Sequence, residues 1–456
     1  MKKRKNEIDM CNGPLFGKVL IFSLPLILSG ILQLLYNAAD VAVVGRFAGS
    51  QSLAAVGSTG PLINLMTNLF IGLSVGASVV VARSIGANNT HKSHDAVHTA
   101  IAISLVAGAI TLIIGVTLSK RFLILMDTPD DVLNLATIYM RIFFAGMPGM
   151  MVYNFGAAIL RAMGDTMRPL YFLTISGIIN VLLNMMFVCL FHMDVAGVAL
   201  ATIISQYISA ALVVICLLKL DNSCRLNIKE IAFRKKEVAE ILKVGLPAGV
   251  QSSLFSISNV LIQSSINSFG STVMAGNAAA GNIEGFTYIS MNSVYQAAIT
   301  FTSQNVGAKK PERISKVAAV SLMIVTAIGL IMGGLSFLGG ETLLRIYSSD
   351  EAILPYGMTR LQYICIPYFL CGVMEVFVGL LRGMNCSTIP MFVSIFGSCV
   401  FRIIWIYTAF SAYPTQITLY IAYPISWALC SAVHFICYLI IKKRLARKLI
   451  AQQLIT

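Results

Sequence analysis

The sequence predicts an all-α integral membrane protein, with twelve transmembrane helices arranged as two parallel six-helix repeats, two lobes around a central cleft. Three observations carry that prediction. The first is composition. Of 456 residues, 57% are hydrophobic and only 11% charged, with a mean hydropathy of +0.82, whereas a soluble globular chain runs at about 45–50% apolar and about 25% charged. The second is that nearly uncharged stretches recur at the length of about 20 residues that one bilayer crossing needs. The third is that the two halves of the chain repeat one another.

The apolar segments fall at 19–45, 53–82, 96–118, 133–160, 169–191 and 195–218, and resume at 244–269, 276–305, 317–339, 354–381, 388–410 and 415–441. The first follows a basic MKKRKNE start, and its core, Val19 to Ala39, is 21 residues long. It lacks a small-x-small cleavage site and is expected to stay as an uncleaved first helix. The connection 219–243 is the longest and holds seven Lys/Arg and four acids. The expected organisation is therefore a six-helix lobe over 1–218, a cytoplasmic linker over 219–243 and a second six-helix lobe over 244–456.

The net charge of +14 would suggest a nucleic-acid partner on a soluble chain, but its distribution gives another reason. With the N-terminus inside, 26 of the 33 basic residues lie in inner segments and four in outer loops. Positive charge collects on the cytoplasmic side of membrane proteins. Both termini are expected in the cytoplasm of a multi-pass cell-membrane protein whose partners are the lipid bilayer and a small-molecule cargo, with no nucleic acid; a monomer is expected.

The repeat is visible in three ordered matches. Leu24-Pro25 with Asn37 recurs as Leu246-Pro247 with Asn259, a shift of 222; Ser84 to Ala87 answers Asn305 to Ala308, and Leu160 to Met163 answers Leu381 to Met384, at a shift of 221. An even number of spans per half makes the repeats parallel, related by an axis along the membrane normal. That is a geometry suited to alternating access.

An acid deep in hydrocarbon costs about 2.5–3.5 kcal/mol on insertion scales, so the three acids within spans mark candidate function: Asp40, Glu284 and Glu375. Gln33, Tyr36, Asn37 and Asp40 recur at spacings of three and four, forming a polar stripe on one helix face. Asn180 and Asn184 are one turn apart in the fifth span, and Thr202 and Gln206 one turn apart in the sixth. Amide and hydroxyl oxygens suit a hard cation, and a buried carboxylate supplies charge or a proton site. Asp40, Asn180, Asn184 and Thr202 are the candidate ion-coupling residues, with Gln33, Tyr36, Asn37 and Gln206 in support. Glu284 and Glu375 are second-lobe acids that either attract a cationic cargo or pair with Arg360 or Arg402. Pro25, Pro148, Pro247 and Pro367 lie in or near spans and can bend them, and Gly72-x-x-x-Gly76, Gly281-x-x-x-Gly285 and Gly329-x-x-x-Gly333 would allow close helix approach.

Ten cysteines without a C-x-x-C pair read as apolar fillers or cytoplasmic thiols. His91, His94 and His98 suggest metal, but lack a supporting Cys cluster and read as solvated or capping residues. Gly13 to Val19 falls one residue short of a phosphate loop and has no Ser/Thr after Lys18. No enzymatic constellation is visible, so neither catalysis nor a cofactor is expected beyond H⁺ or Na⁺ as a coupling ion.

The runs LPLILSGILQLLYNAADVAVVGRFAG, GLSVGASVVVARSIGANN, LRAMGDTMRP and LRGMNCSTIP resemble those of the multidrug and toxic compound extrusion (MATE) transporters, from about Phe16 to Lys442. The resemblance implies a secondary antiporter that expels organic cations in exchange for H⁺ or Na⁺. It implies that the ion is handled by a first-span acid, matching Asp40, by a fifth-span Asn, matching Asn180, and by a sixth-span Thr, matching Thr202, with these three as the candidate Na⁺ site. The family's second fifth-span position is acidic, and here it is Asn184. Glu375 lies about one turn from a tenth-span acid found in some members. The rival readings are a flippase for lipid-linked saccharides, favoured by a cationic cleft, and a membrane scaffold or membrane-embedded enzyme.

Overall fold

A computed structural model describes residues 7–126, 128–347 and 350–453, and these residues contain helices and connections but no strand. The basic run at the N-terminus, residues 1–6, lies outside the described residues. In chain order the helices are α1 (Leu15–Val43), α2 (Gly49–Gly86), α3 (Thr90–Leu125), α4 (Asp130–Ala145), α5 (Met147–Ala162), α6 (Met167–Asn184), α7 (Asp194–Leu218), α8 (Lys235–Asn267), α9 (Ser271–Gly307), α10 (Pro311–Leu338), α11 (Gly340–Tyr347), α12 (Leu354–Arg360), α13 (Phe369–Gly383), α14 (Thr388–Ser394), α15 (Phe401–Trp405) and α16 (Gln416–Gln453).

Several neighbours run on into one another. α4 and α5 form a single rod bent by 45° at Gly146-Met147-Pro148, where a proline in the first turn of α5 is tolerated because its missing N–H would be unpaired there anyway. α12 and α13 are joined through a wide π-type turn and a 3₁₀ turn around Pro367, and α14 and α15 through Ile395–Val400. Pro25 and Pro247 lie inside α1 and α8.

Among the described residues, nine helical segments are long and apolar enough to cross a bilayer, or ten with the bent pair counted as one span. The remaining two predicted spans form long helices, α8 and α9, whose many Ser, Asn and Gln residues keep them below the same apolar threshold. Large apolar side chains such as Ile113, Leu182, Ile331 and Leu335 are more than half exposed. In water that would be unstable; in lipid tails it is the expected outer face.

The chain divides into two compact units. The first holds Leu28–Gly249 together with Ile8; the second holds Asp9–Ile27 and everything from Val250 onward. Neither boundary falls where sequence composition puts it. The first half of α1 belongs to the second unit, and the first half of α8, with the 219–234 connection, belongs to the first. Composition marks where polar residues cluster. It does not show which apolar face a long helix packs against.

Within the first unit α3 packs on α5, α5 on α7, and α2 on both α3 and α5; within the second, α10 packs on α13, α13 on α16, and α9 on both α10 and α13. The pairings correspond element by element, as a duplicated sequence requires. Phe155, Ile159, Leu160, Val80 and Ala100 are fully buried in the first unit, and Ala280, Leu344, Leu361 and Cys365 in the second.

Glycines set the closest approach. A Cβ at Gly72 would lie 2.2 Å from the backbone N of Gly249, and one at Gly76 would lie 2.3 Å from the Ile241 carbonyl oxygen. Reciprocally, Gly245 and Gly249 face the backbone of Leu73 and Leu69. Backbone cannot move aside as a side chain can. Gly76→Leu is expected to cost at least the ~1–3 kcal/mol of an overpacked core, visible as a lower apparent Tm of purified protein in detergent. Gly329 and Gly333 make the same kind of contact with Phe369 and Cys365, but Gly281 does not: its nearest neighbour is the Arg360 Nη2 at 3.9 Å. Gly281 itself therefore makes no close backbone approach. It leaves room for a guanidinium.

Candidate functional site

The first unit brings Asp40 together with Asn184 and Asn180. Asp40 is on the last turn of α1, half-buried, and Asn180 and Asn184 lie on one face of α6, 5% and 1% exposed. The Asn184 amide nitrogen donates to Asp40 Oδ1 and, at 3.3 Å, to Asn180 Oδ1. Asn184 thus links the carboxylate to the second amide.

That arrangement spends the donors of Asn184 and leaves its carbonyl oxygen, Oδ1, buried without a hydrogen-bond partner among the described residues. A buried unsatisfied acceptor costs about 1–3 kcal/mol, so the site is poised to accept a hydrogen-bond donor or a cation. Both helices widen into π-type turns just beyond the pair, at Val44–Ala48 and Met185–Leu190. Such turns are frequent at functional sites because they free backbone groups from regular pairing.

α1 is fitted to α6 by Tyr36. Its hydroxyl donates to the Thr174 carbonyl at 3.4 Å, and a Cβ on Gly177 would fall within 1.9 Å of its ring. Gly177 is a residue that sequence reasoning misses. Its only signal is a lone glycine in a predicted helix, three residues before Asn180.

The predicted constellation is only partly assembled. Gln33 and Asn37 are exposed, so the polar stripe splits: Tyr36 and Asp40 turn toward α6 and the other two do not. Thr202 donates its hydroxyl to the Val198 carbonyl of its own helix at 2.9 Å, and no described contact joins it to Asp40. Gln206 Oε1 is buried without a hydrogen-bond partner among the described residues and lies at the α4–α5 bend, 2.5 Å from where a Gly146 Cβ would be.

The second unit carries different chemistry. Ile262, in the repeat position of Asp40, is an ordinary core residue, 3% exposed. Glu284 does not stand free: Arg360 donates to its Oε2 from Nη2 at 2.6 Å and from Nε at 3.1 Å, with side chains 12% and 13% exposed. Arg360 Nη1 also donates to Asn277 Oδ1 at 2.5 Å, which accepts from Tyr420 at 3.1 Å. Of the alternatives open from sequence, Glu284 is the partner of Arg360. Glu375 lies within electrostatic reach of Arg382, itself buried and donating to Gln251 Oε1 at 2.8 Å and to the Tyr295 hydroxyl.

Arg402 has a larger part in the second unit than its sequence context suggests. It is 3% exposed, stacked at 4.1 Å on the Tyr423 ring and near Trp427, and donates to Ser426 at 3.1 Å. Its Nη2 has no hydrogen-bond partner among the described residues. Aromatic faces solvate a guanidinium in place of a carboxylate. The shift of 221–222 residues puts Phe401-Arg402 at the Asn180 position, so a cation occupies the second repeat where the first has an amide beside an acid.

His94, His98 and Glu230 bring ligand atoms within 4.8 Å of one another. The hydrogen bonds decide their role. His98 Nδ1 is 2.7 Å from the His94 carbonyl, and its Nε2 accepts from the Asn227 N–H at 2.9 Å. With a proton on one nitrogen and the other lone pair taken, His98 has nothing left to give a metal.

Helices, apolar outer faces and duplicated packing define the class: a multi-pass helical membrane protein built from two related halves. A family model, MatE, matches the chain twice, at residues 25–186 and 247–408, which is well over half of its length and reproduces the shift of 222. The chain belongs to the MatE family. Among curated relatives it is 27% identical over 386 residues to "Probable multidrug resistance protein YoeA" of Bacillus subtilis, covering 82% of this chain and 83% of that one. It is 22% identical over 370 residues to "Multidrug export protein MepA" of Staphylococcus aureus, covering 81% and 82%. Its fold matches a solved structure, "Crystal structure of MATE in complex with MaL6", with a TM-score of 0.90 at 22% identity, over 98% of this chain and 100% of the other.

Proposed function

We infer that this chain is a secondary active antiporter that exports organic cations, drugs among them, in exchange for H⁺ or Na⁺. The observation that carries the reading is the Asp40–Asn184–Asn180 cluster: a membrane-embedded carboxylate held by an amide whose own oxygen is buried and unpaired. The names of the relatives above, a multidrug resistance protein and a multidrug export protein, support the cargo class. The duplicated fold supports alternating access, with both termini in the cytoplasm.

The coupling step follows from hydrogen-bond inventory. With Asp40 ionised, Asn184 offers its NH₂ to the carboxylate. A Na⁺ entering beside Asp40 calls for oxygens, which Asn180 Oδ1, the carboxylate and a turned Asn184 amide supply. A proton on Asp40 calls for one acceptor, which the turned Asn184 also supplies. Either ion therefore reverses the amide and satisfies the orphaned oxygen, changing how α1 sits on α6. Ion and cargo are linked when each stabilises a different state of the protein. One acid, with an amide at 184, makes proton exchange the better-supported coupling, because a second negative charge would be needed to hold Na⁺ strongly against competing water.

Asn184→Asp tests that point. It supplies the second charge, and efflux of a fluorescent organic cation from vesicles is expected to become more dependent on a Na⁺ gradient than in the wild type. A variant whose Na⁺ dependence is unchanged would remove residue 184 from ion selection.

A further inference from the structure

The connection between α7 and α8 is not a slack tether. Some of its residues are buried and others held outward: Cys224 and Leu226 are 1% and 2% exposed and Ile231 packs on the core of the first unit, while Ile228 and Phe233 are 62% and 55% exposed. This stretch of chain is pinned to the start of α3 at four places. The Asn227 N–H donates to His98 at 2.9 Å, Thr99 donates to the Ala232 carbonyl and accepts from the Arg234 N–H, both at 3.3 Å, Glu230 meets His94 at 3.1 Å, and Arg234 meets Asp95 at 3.6 Å.

Two large apolar side chains are thus held outward on a segment lying beyond the ends of the bilayer-crossing helices. Exposed Arg225, Lys229, Lys235 and Lys236 surround them, and none of the four has an acidic partner among the described residues. Ile228 and Lys229 line a cavity of about 670 Å³ together with Arg225, Asn222, Asn227 and the paired His94 and Glu230. Ligand pockets run at about 300–1,000 Å³, so a polar headgroup fits. Basic side chains immediately beside a membrane helix attract anionic lipid, and apolar residues interleaved with them gain by entering the interface.

We propose that this connection is a docking site for an anionic phospholipid, with the headgroup phosphate held by Arg225 and Lys229 at the cavity and with Ile228 and Phe233 inserted among the acyl chains. The pinning to α3 is what makes the site: the anchors are presented already ordered, so little conformational entropy is lost when lipid binds. The site is independent of the Asp40 cluster and of which ion is coupled.

The test uses the full-length protein carrying Phe233→Trp, reconstituted in vesicles of phosphatidylglycerol mixed with phosphatidylcholine, or of phosphatidylcholine alone, with bromine on the acyl chains. Emission in excess of the wild type, which reports Trp405 and Trp427, is expected to be blue-shifted and quenched when the phosphatidylglycerol is brominated, and to regain intensity when salt is raised, since exposed charges are screened. The response is expected to vanish when Arg225, Lys229, Lys235 and Lys236 are all changed to Ser. Quenching that is equal in the two lipid mixtures, or that survives both salt and charge removal, would show insertion without recognition of the headgroup and overturn the proposal. An introduced indole that stays in water in both mixtures would overturn it outright and leave a soluble partner as the occupant of this surface.

Discussion

Asp40→Asn is expected to leave a folded protein in the membrane that no longer couples efflux to an ion. Asn keeps the size and one acceptor oxygen of Asp, so Asn184 can still donate to it and α1 still packs through Tyr36 in the space Gly177 leaves open. What disappears is the only charge and the only titratable group in the cluster. Coupling between two ligands is typically worth about 1–3 kcal/mol, or about 5–150-fold in affinity, and ion-driven efflux should fall by that order. The measurement is cation efflux with and without an imposed gradient, beside thermal stability of the same preparation. Equal loss of both would mean that Asp40 acts in folding instead.

The second large effect is on stability. Arg360→Leu alone is expected to be destabilising by about 3–5 kcal/mol, because it strands Glu284 as an unpaired charge in a nearly dry site. Asn277 Oδ1 also loses its Arg360 donor and keeps that of Tyr420. The double change Glu284→Leu with Arg360→Leu should recover most of the loss, since replacing both members of a buried pair with apolar groups is often neutral. The check is a double-mutant cycle on apparent Tm and expression level. If Glu284 instead attracted the cationic cargo, the double variant would lose transport; on the pairing seen here it should retain it.

How much of this can be read from the chain follows from the range of each interaction. The long apolar helices, the duplication and the candidacy of Asp40, Asn180 and Asn184 are legible because they rest on local periodicity and on the cost of polar groups in apolar runs. The contact of Asn184 with Asp40 crosses 144 residues, yet the grouping of the two is legible, since Asp40 is the one acid within the first-half spans and Asn180 and Asn184 lie one turn apart in the same half. The partner of Glu284 is open between two arginines, because nothing local distinguishes Arg360 from Arg402. The aromatic bed beneath Arg402 lies on α16, 21 to 25 residues away, where Tyr423 and Trp427 look like ordinary apolar filling. The division of α1 and α8 between units is not legible for a different reason. Both are continuous through their prolines, so no break in composition marks where one set of neighbours ends and the other begins.

Movement of an organic cation is tied to an ion through Asp40 on this account, and the most direct measurement is flux of a fluorescent organic cation in sealed vesicles containing the purified protein. A pH gradient and a Na⁺ gradient are imposed separately. The expected result is accumulation driven by at least one gradient, the pH gradient foremost, and abolished by Asp40→Asn. Flux that ignores both gradients, or that responds equally well without Asp40, would contradict it.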